Sequence, residues 1–110
     1  MKATVKIDAG ICGFQTTACV TGDDDQAVTF DVRSSCEKIR QLGELLKDRG
    51  SIDAYQEIGP ASDSVILQSA RTVLKGCCAG CAVPAGLFKG MQVAAGLALP
   101  KDIRIALTKE

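Results

Sequence analysis

Histidine and tryptophan are absent from this 110-residue chain. Without histidine, the usual general base and the Ser-His and Cys-His nucleophile pairs are excluded, as is the commonest nitrogen ligand for metals. Aromatic residues are scarce: three Phe and one Tyr. None lies in a basic patch, so a stacking platform for nucleic acid is missing. Charge of one sign is also missing, because 13 basic residues balance 13 acidic ones. No long-range field draws a polyanion or a membrane surface.

Long apolar runs are lacking too. The most apolar stretch, "AVPAGLFKGMQVAAGLALP", is broken by Lys89, Gln92, three glycines and two prolines. It reads as a buried helix and its exit, not as a membrane span. The opening "MKATVKIDAG" has no apolar run of signal-peptide length, so a cytoplasmic location is expected. There is no Walker loop, no G-x-G-x-x-G and no nucleophile elbow. Six positions after Cys36, where a phosphatase loop needs arginine, stands Leu42. Asp23, Asp24 and Asp25 lack calcium-loop spacing and read as a solvated turn. The expected partners therefore include neither nucleic acid nor membrane. A protein partner and the oligomeric state are left open.

What the chain does have is six cysteines, three of them within the five residues 77–81. In a reducing cytosol such thiols read as metal ligands, redox groups or core residues before they read as a disulfide framework. The length suits one domain, residues 1–110, large enough to build a core without staples.

The pattern along the chain predicts an α+β two-layer sandwich: a four-stranded mixed sheet with three helices on one face, in the order βββαααβ. "ATVKID" alternates, with Val5 and Ile7 inward. "FQTTACVT" alternates, with Phe14, Ala18 and Val20 inward, and "AVTFDVR" does so with Val28, Phe30 and Val32. The period then changes to that of a helix. Ile39, Leu42, Leu45 and Leu46 form one stripe, with Ser34 or Ser35 as N-cap and Gly50 as the stop. Residues 51–61 read as a loop. A second helix, capped by Ser62 or Asp63, carries Ile66, Ala70, Val73 and Leu74. A third begins at Pro84, where a missing N–H costs little, and Gly86 and Gly90 allow close packing. "IRIALT" alternates again and reads as a last strand.

Counting chain directions through this order places Cys12, Cys36 and the cluster Cys77, Cys78 and Cys81 at one edge of the sandwich. Two helices start at that edge, and helix N-termini favour thiolate. Cys19 sits alone at mid-strand on the outer face.

Three readings follow. In the first, Cys12, Cys36, Cys78 and Cys81 form an all-sulfur metal site for zinc or an iron–sulfur cluster, with Cys77 the alternative to Cys78. In the second, Cys78 and Cys81, spaced C-x-x-C, are a redox dithiol. A thioredoxin-like site would want a strand before that motif, and here a helix precedes it. In the third, the cysteines fill space in a metal-free interaction domain. That accounts for one or two of them better than for three in five positions. Nothing here specifies a reaction.

Taken together, "DAGICGF" at 8–14, "SSC" at 34–36, "CAVP" at 81–84 and "AGLALPKDIRI" at 95–105 resemble an uncharacterised family of small cysteine-containing proteins of methanogenic archaea and other anaerobes. The resemblance runs nearly the whole length and implies no activity. It implies that Cys12, Cys36 and Cys81 are kept, and that the family tends to place histidine at position 78 and proline at position 82. Here these are Cys78 and Ala82. A histidine–cysteine exchange is what a zinc ligand position tolerates.

Overall fold

The computed structural model describes residues 1–60 and 63–110. Its first three strands, β1 (Lys2–Asp8), β2 (Gln15–Gly22) and β3 (Ala27–Ser34), form an antiparallel meander. The register runs from Lys2 opposite Thr21 to Asp8 opposite Gln15, and from Thr16 opposite Ser34 to Gly22 opposite Val28. Alternation sets the faces. Ala18, Val20, Val28 and Phe30 are buried, while Thr4, Lys6, Gln15, Thr17, Cys19 and Thr29 are exposed on the open face. Phe14 departs from the expected inward set. It precedes β2 and is half-exposed, and Thr16 takes the inward place.

Helix α1 (Glu37–Arg49) packs on β3 and buries Ile39, Leu42, Gly43 and Leu46. Leu45, expected in its apolar stripe, lies at the helix flank and is partly exposed. Gly43 approaches β3 so closely that a Cβ there would lie 2.9 Å from the Val32 Cβ. The N-cap is Cys36, not Ser34 or Ser35, and it makes no side-chain cap bond. Ser34 Oγ accepts from the Cys36 N–H instead, and Ser35 Oγ from the Gln15 N–H, each at 3.0 Å.

The fourth strand differs from expectation. β4 (Ile52–Asp53) pairs antiparallel with β3, Val28 opposite Ile52, so the sheet is wholly antiparallel and ordered β1-β2-β3-β4. Two residues are too few to show a period, which hid this strand inside an expected loop. Asp53 ends β4 and caps the one-turn helix α2 (Ala54–Glu57), its Oδ1 accepting from the Tyr55 N–H at 2.9 Å. "IRIALT" is not a strand: residues 101–110 are exposed and carry no regular structure.

Helix α3 (Val65–Val73) is capped by Ser64, whose Oγ accepts from the Leu67 N–H at 3.0 Å. Asp63 is not the cap, and Ser62 lies outside the described residues. A 3₁₀ turn (Gly76–Gly80) leads to α4 (Val83–Ala94), which has Pro84 in its first turn and packs on β1 and β2. α3 touches α1 and α4. The core is the inner sheet face under α1 and α4, with Ile66 and Ala70 of α3 closing it. Among the described residues no helix is long and apolar enough to cross a membrane.

Candidate thiol site at the sheet edge

Three chain segments meet where β1 turns into β2. The first is the loop 9–14 that carries Cys12. Gly10 and Gly13 adopt φ of 89° and 76°, conformations that a side chain disfavours. Asp8 Oδ1 accepts from the Gly10 N–H at 3.0 Å, and the Gly13 N–H donates to the Gly10 carbonyl at 2.9 Å. These bonds form a tight turn with Cys12 exposed at its tip. The bond from Gly10 and one from Gln15 hold the Asp8 carboxyl below its ordinary range.

The second segment joins β3 to α1. The Ser35 N–H donates to the Gln15 carbonyl at 3.1 Å, so this corner is tied directly to the base of the Cys12 loop. Beneath it, buried Thr16 and half-buried Ser34 share a hydroxyl hydrogen bond of 2.8 Å. Ser34 in turn fixes the Cys36 amide, which leaves Cys36 half-buried at the start of α1.

The third segment is the 3₁₀ turn. It exposes Cys77 and leaves Cys78 and Cys81 half-buried, with the Cys81 N–H donating to the Cys78 carbonyl at 3.1 Å. Lys38, in the first turn of α1, donates from Nζ to Cys78 Sγ at 3.5 Å. This contact links α1 to the turn. Lys38 had no place in the sequence reading. A cation in the first turn of a helix opposes the helix dipole, and that local misfit was the signal available.

Cys81 joins the 3₁₀ turn to α4. Burial pushes its thiol above the ordinary 9.0, and negative charge on Cys12, Cys36 and Cys78 pushes it the same way, while a hydrogen bond from the Val83 N–H acts against them. Cys12, Cys36 and Cys78 are each within electrostatic reach of Cys81. The expected preference for thiolate at a helix start is outweighed at this residue by burial and by like charge. Cys77 does not contribute to the shift at Cys81, and Cys19 lies away on the open face, 3.9 Å from Thr4 Oγ1. Among the described residues, no three Cys, Asp or Glu side chains are arranged to hold a metal ion as they stand.

The raised Cys81 pKa has a testable sign. Folding favours the protonated thiol, so its contribution to stability is complete below the ordinary pKa and is lost as pH rises through the folded value. In metal-free protein, mass-mapped iodoacetamide labelling near pH 9 should modify Cys12 and Cys77 well before Cys81. The loss of stability above pH 9 should be shallower in Cys81→Ser. Equal labelling rates at Cys77 and Cys81 would refute this.

No match to the chain was found among curated proteins or among solved structures. One family model does match, over residues 3–107, from the beginning of β1 through Leu107, and includes the whole thiol edge. The chain belongs to that family, described as a family of unknown function (DUF6951).

Proposed function

We propose that this is a small cytoplasmic metal-binding protein, in which Cys12, Cys36, Cys78 and Cys81 hold one zinc ion or an iron–sulfur centre at the sheet edge. The supporting observation is geometric: the Ser35 N–H ties the β3–α1 corner to the base of the Cys12 loop at 3.1 Å, and Lys38 of α1 reaches Cys78 Sγ at 3.5 Å, so three separate segments bring their thiols to one end of the sheet. Soft sulfur donors suit zinc and iron–sulfur centres, and four thiolates complete a closed coordination shell. Lys38 beside Cys78 supplies a counter-charge for an all-thiolate site. Half-burial and this contact support Cys78 over exposed Cys77 as the fourth ligand. Bound sulfurs stand ~2.3 Å from zinc. Because no three Cys, Asp or Glu side chains among the described residues are arranged for a metal as they stand, a bound ion would require the Cys12 loop and the 3₁₀ turn to move toward it.

A second reading, a redox dithiol of Cys78 and Cys81, is supported by the 3.1 Å backbone bond that closes the turn between them. The raised thiol of Cys81 weighs against it, because a reactive dithiol needs thiolate near neutral pH.

Anaerobic purification, an absorption spectrum and metal analysis separate the readings. A zinc site gives a colourless protein with about one zinc per chain. An iron–sulfur centre gives a brown one with stoichiometric iron. Cys81→Ser should abolish binding, while Cys19→Ser and Cys77→Ser should retain it. A metal-free protein with a Cys78–Cys81 disulfide, reopened by dithiothreitol, would replace the proposal with the redox reading. A metal-free protein with slow, unreactive thiols would leave only packing.

A further inference from the structure

We propose that the segment Asp102–Thr108 forms a strand in trans, adding in parallel to β1 of a second copy of this chain while that copy returns its own segment reciprocally. Two unsatisfied features motivate this. The first is the segment itself. Leu99, Ile103, Ile105 and Leu107 are 90, 55, 70 and 92% exposed. Such a row of large apolar side chains in water is a partner surface or an aggregation hazard. Among the described residues, no hydrogen bond joins residues 99–110 to the rest of the chain.

The second feature is β1. It is an edge strand, paired with β2 alone, so one row of its backbone donors and acceptors is open. Its inward residues Val5 and Ile7 are only half-buried, although α4 packs against them through Gly86 and Gly90.

The two features match in length, pattern and charge. Both span seven residues and alternate with period two. In a parallel register Ile103, Ile105 and Leu107 stand beside Ala3, Val5 and Ile7, and Asp102 stands beside Lys2. The antiparallel register over the same residues sets Arg104 against Lys6 and Asp102 against Asp8. Like charges directly opposite are destabilising, so parallel addition is favoured. The segment is also delivered to the correct end. Leu97 and Ala98 donate to the Gln92 carbonyl at 2.7 and 3.2 Å, and Gly96 lies against Met1, where β1 begins. A strand starting there and following β1 runs parallel to it.

The occupied edge belongs to the second copy because the chain does not lay its own segment on β1: residues 101–110 are exposed and enter no strand, and Leu99 and Pro100 favour an extended exit. The molecule is 45 Å long against 27 and 26 Å in its other dimensions. Reciprocal exchange about a two-fold axis near Pro100 gives both β1 strands and both segments a partner. The family match continues through residue 107, so the exposed row lies within the family's shared span.

Sedimentation of the full chain should give twice the 11.5 kDa chain mass. Ile105→Asp, at a solvent-facing position that folding does not need, should shift it to monomer with an unchanged circular dichroism spectrum. In a Cys19→Ser background, Thr4→Cys with Arg104→Cys should oxidise to a disulfide-linked dimer, with that bond identified by mass mapping. A monomer at all concentrations, or the same disulfide formed within one chain, would overturn the proposal. So would a dimer that persists in Ile105→Asp, and loss of the crosslink from a dimer would overturn the parallel register.

Discussion

Gly22→Ala should destabilise the domain by about 3 kcal/mol, at the upper end of what overpacking costs. A Cβ at this position would press into the Ala94 carbonyl oxygen and lie 2.9 Å from its carbon. Backbone gives way far less readily than a side-chain tip. Neither side is free to retreat. The Gly22 N–H donates to the Met1 carbonyl at 2.8 Å, and the Met1 ammonium donates to the Gly22 carbonyl at 3.0 Å. Ala94 closes a helix already seated on β1, where a Cβ on Gly90 would meet Val5 Cγ2 at 2.5 Å. Elsewhere a glycine-to-alanine change at a compatible backbone stabilises by about 0.4–1 kcal/mol through the unfolded chain. The sign of the result therefore decides the matter. A urea titration should show the loss, and melting should fall by roughly 15 °C. An unchanged or raised midpoint would show that α4 can lift away from the sheet at no cost.

Glu57→Ala should cost about 3 kcal/mol for a different reason. Glu57 is 2% exposed, yet its carboxylate is fully engaged. It accepts from Ser64 Oγ at 2.9 Å, from the Val65 N–H at 2.6 Å and from the Ile66 N–H at 2.8 Å. Two of these are the orphan donors of the first turn of α3, and a negative charge there complements the helix dipole. Alanine leaves three donors facing a small cavity. Glu57→Gln keeps one acceptor oxygen but turns an amide N–H₂ toward further donors, so it should lose less than alanine and still lose measurably. Because α3 leads directly into the 3₁₀ turn, the alanine variant should also bind metal more weakly if the turn supplies ligands. Wild-type stability in Glu57→Ala would show that the start of α3 is held by other groups.

Much of the frame was legible from local chemistry. Strict alternation in "TVKI", "TTACV" and "VTFDV" permits one inward set per strand, and the two short turns between them force antiparallel neighbours. α1 and α4 follow from apolar spacing at the helical period, ended by Gly50 and opened near Pro84. With those elements in order, counting directions places Cys12, Cys36 and the 77–81 cluster at one edge as an expectation, and the structure ties those segments by the Ser35–Gln15 backbone bond and the Lys38–Cys78 contact. The edge lay within reach of sequence reasoning because it depends on connection lengths, not on side-chain detail.

Other features depended on neighbours far along the chain. β4 is two residues long and exists only because Val28 presents a free backbone edge beside Ile52. Glu57 lies within the expected 51–61 loop, and only α3 brings it unpaired N–H groups. Lys38 gains a role only when the 3₁₀ turn brings Cys78 to its ammonium. Capping by Ser34 or Ser35 was a sound local expectation, but both hydroxyls are used on the Cys36 and Gln15 amides, and the cap position passed to Cys36. The clearest case is "IRIALT". Alternation makes a strand of any such segment that finds an edge, but it does not say which edge. Strand hydrogen bonds are made with another segment, so a strand's partner is a tertiary property. Residues 101–110 are exposed and enter no strand.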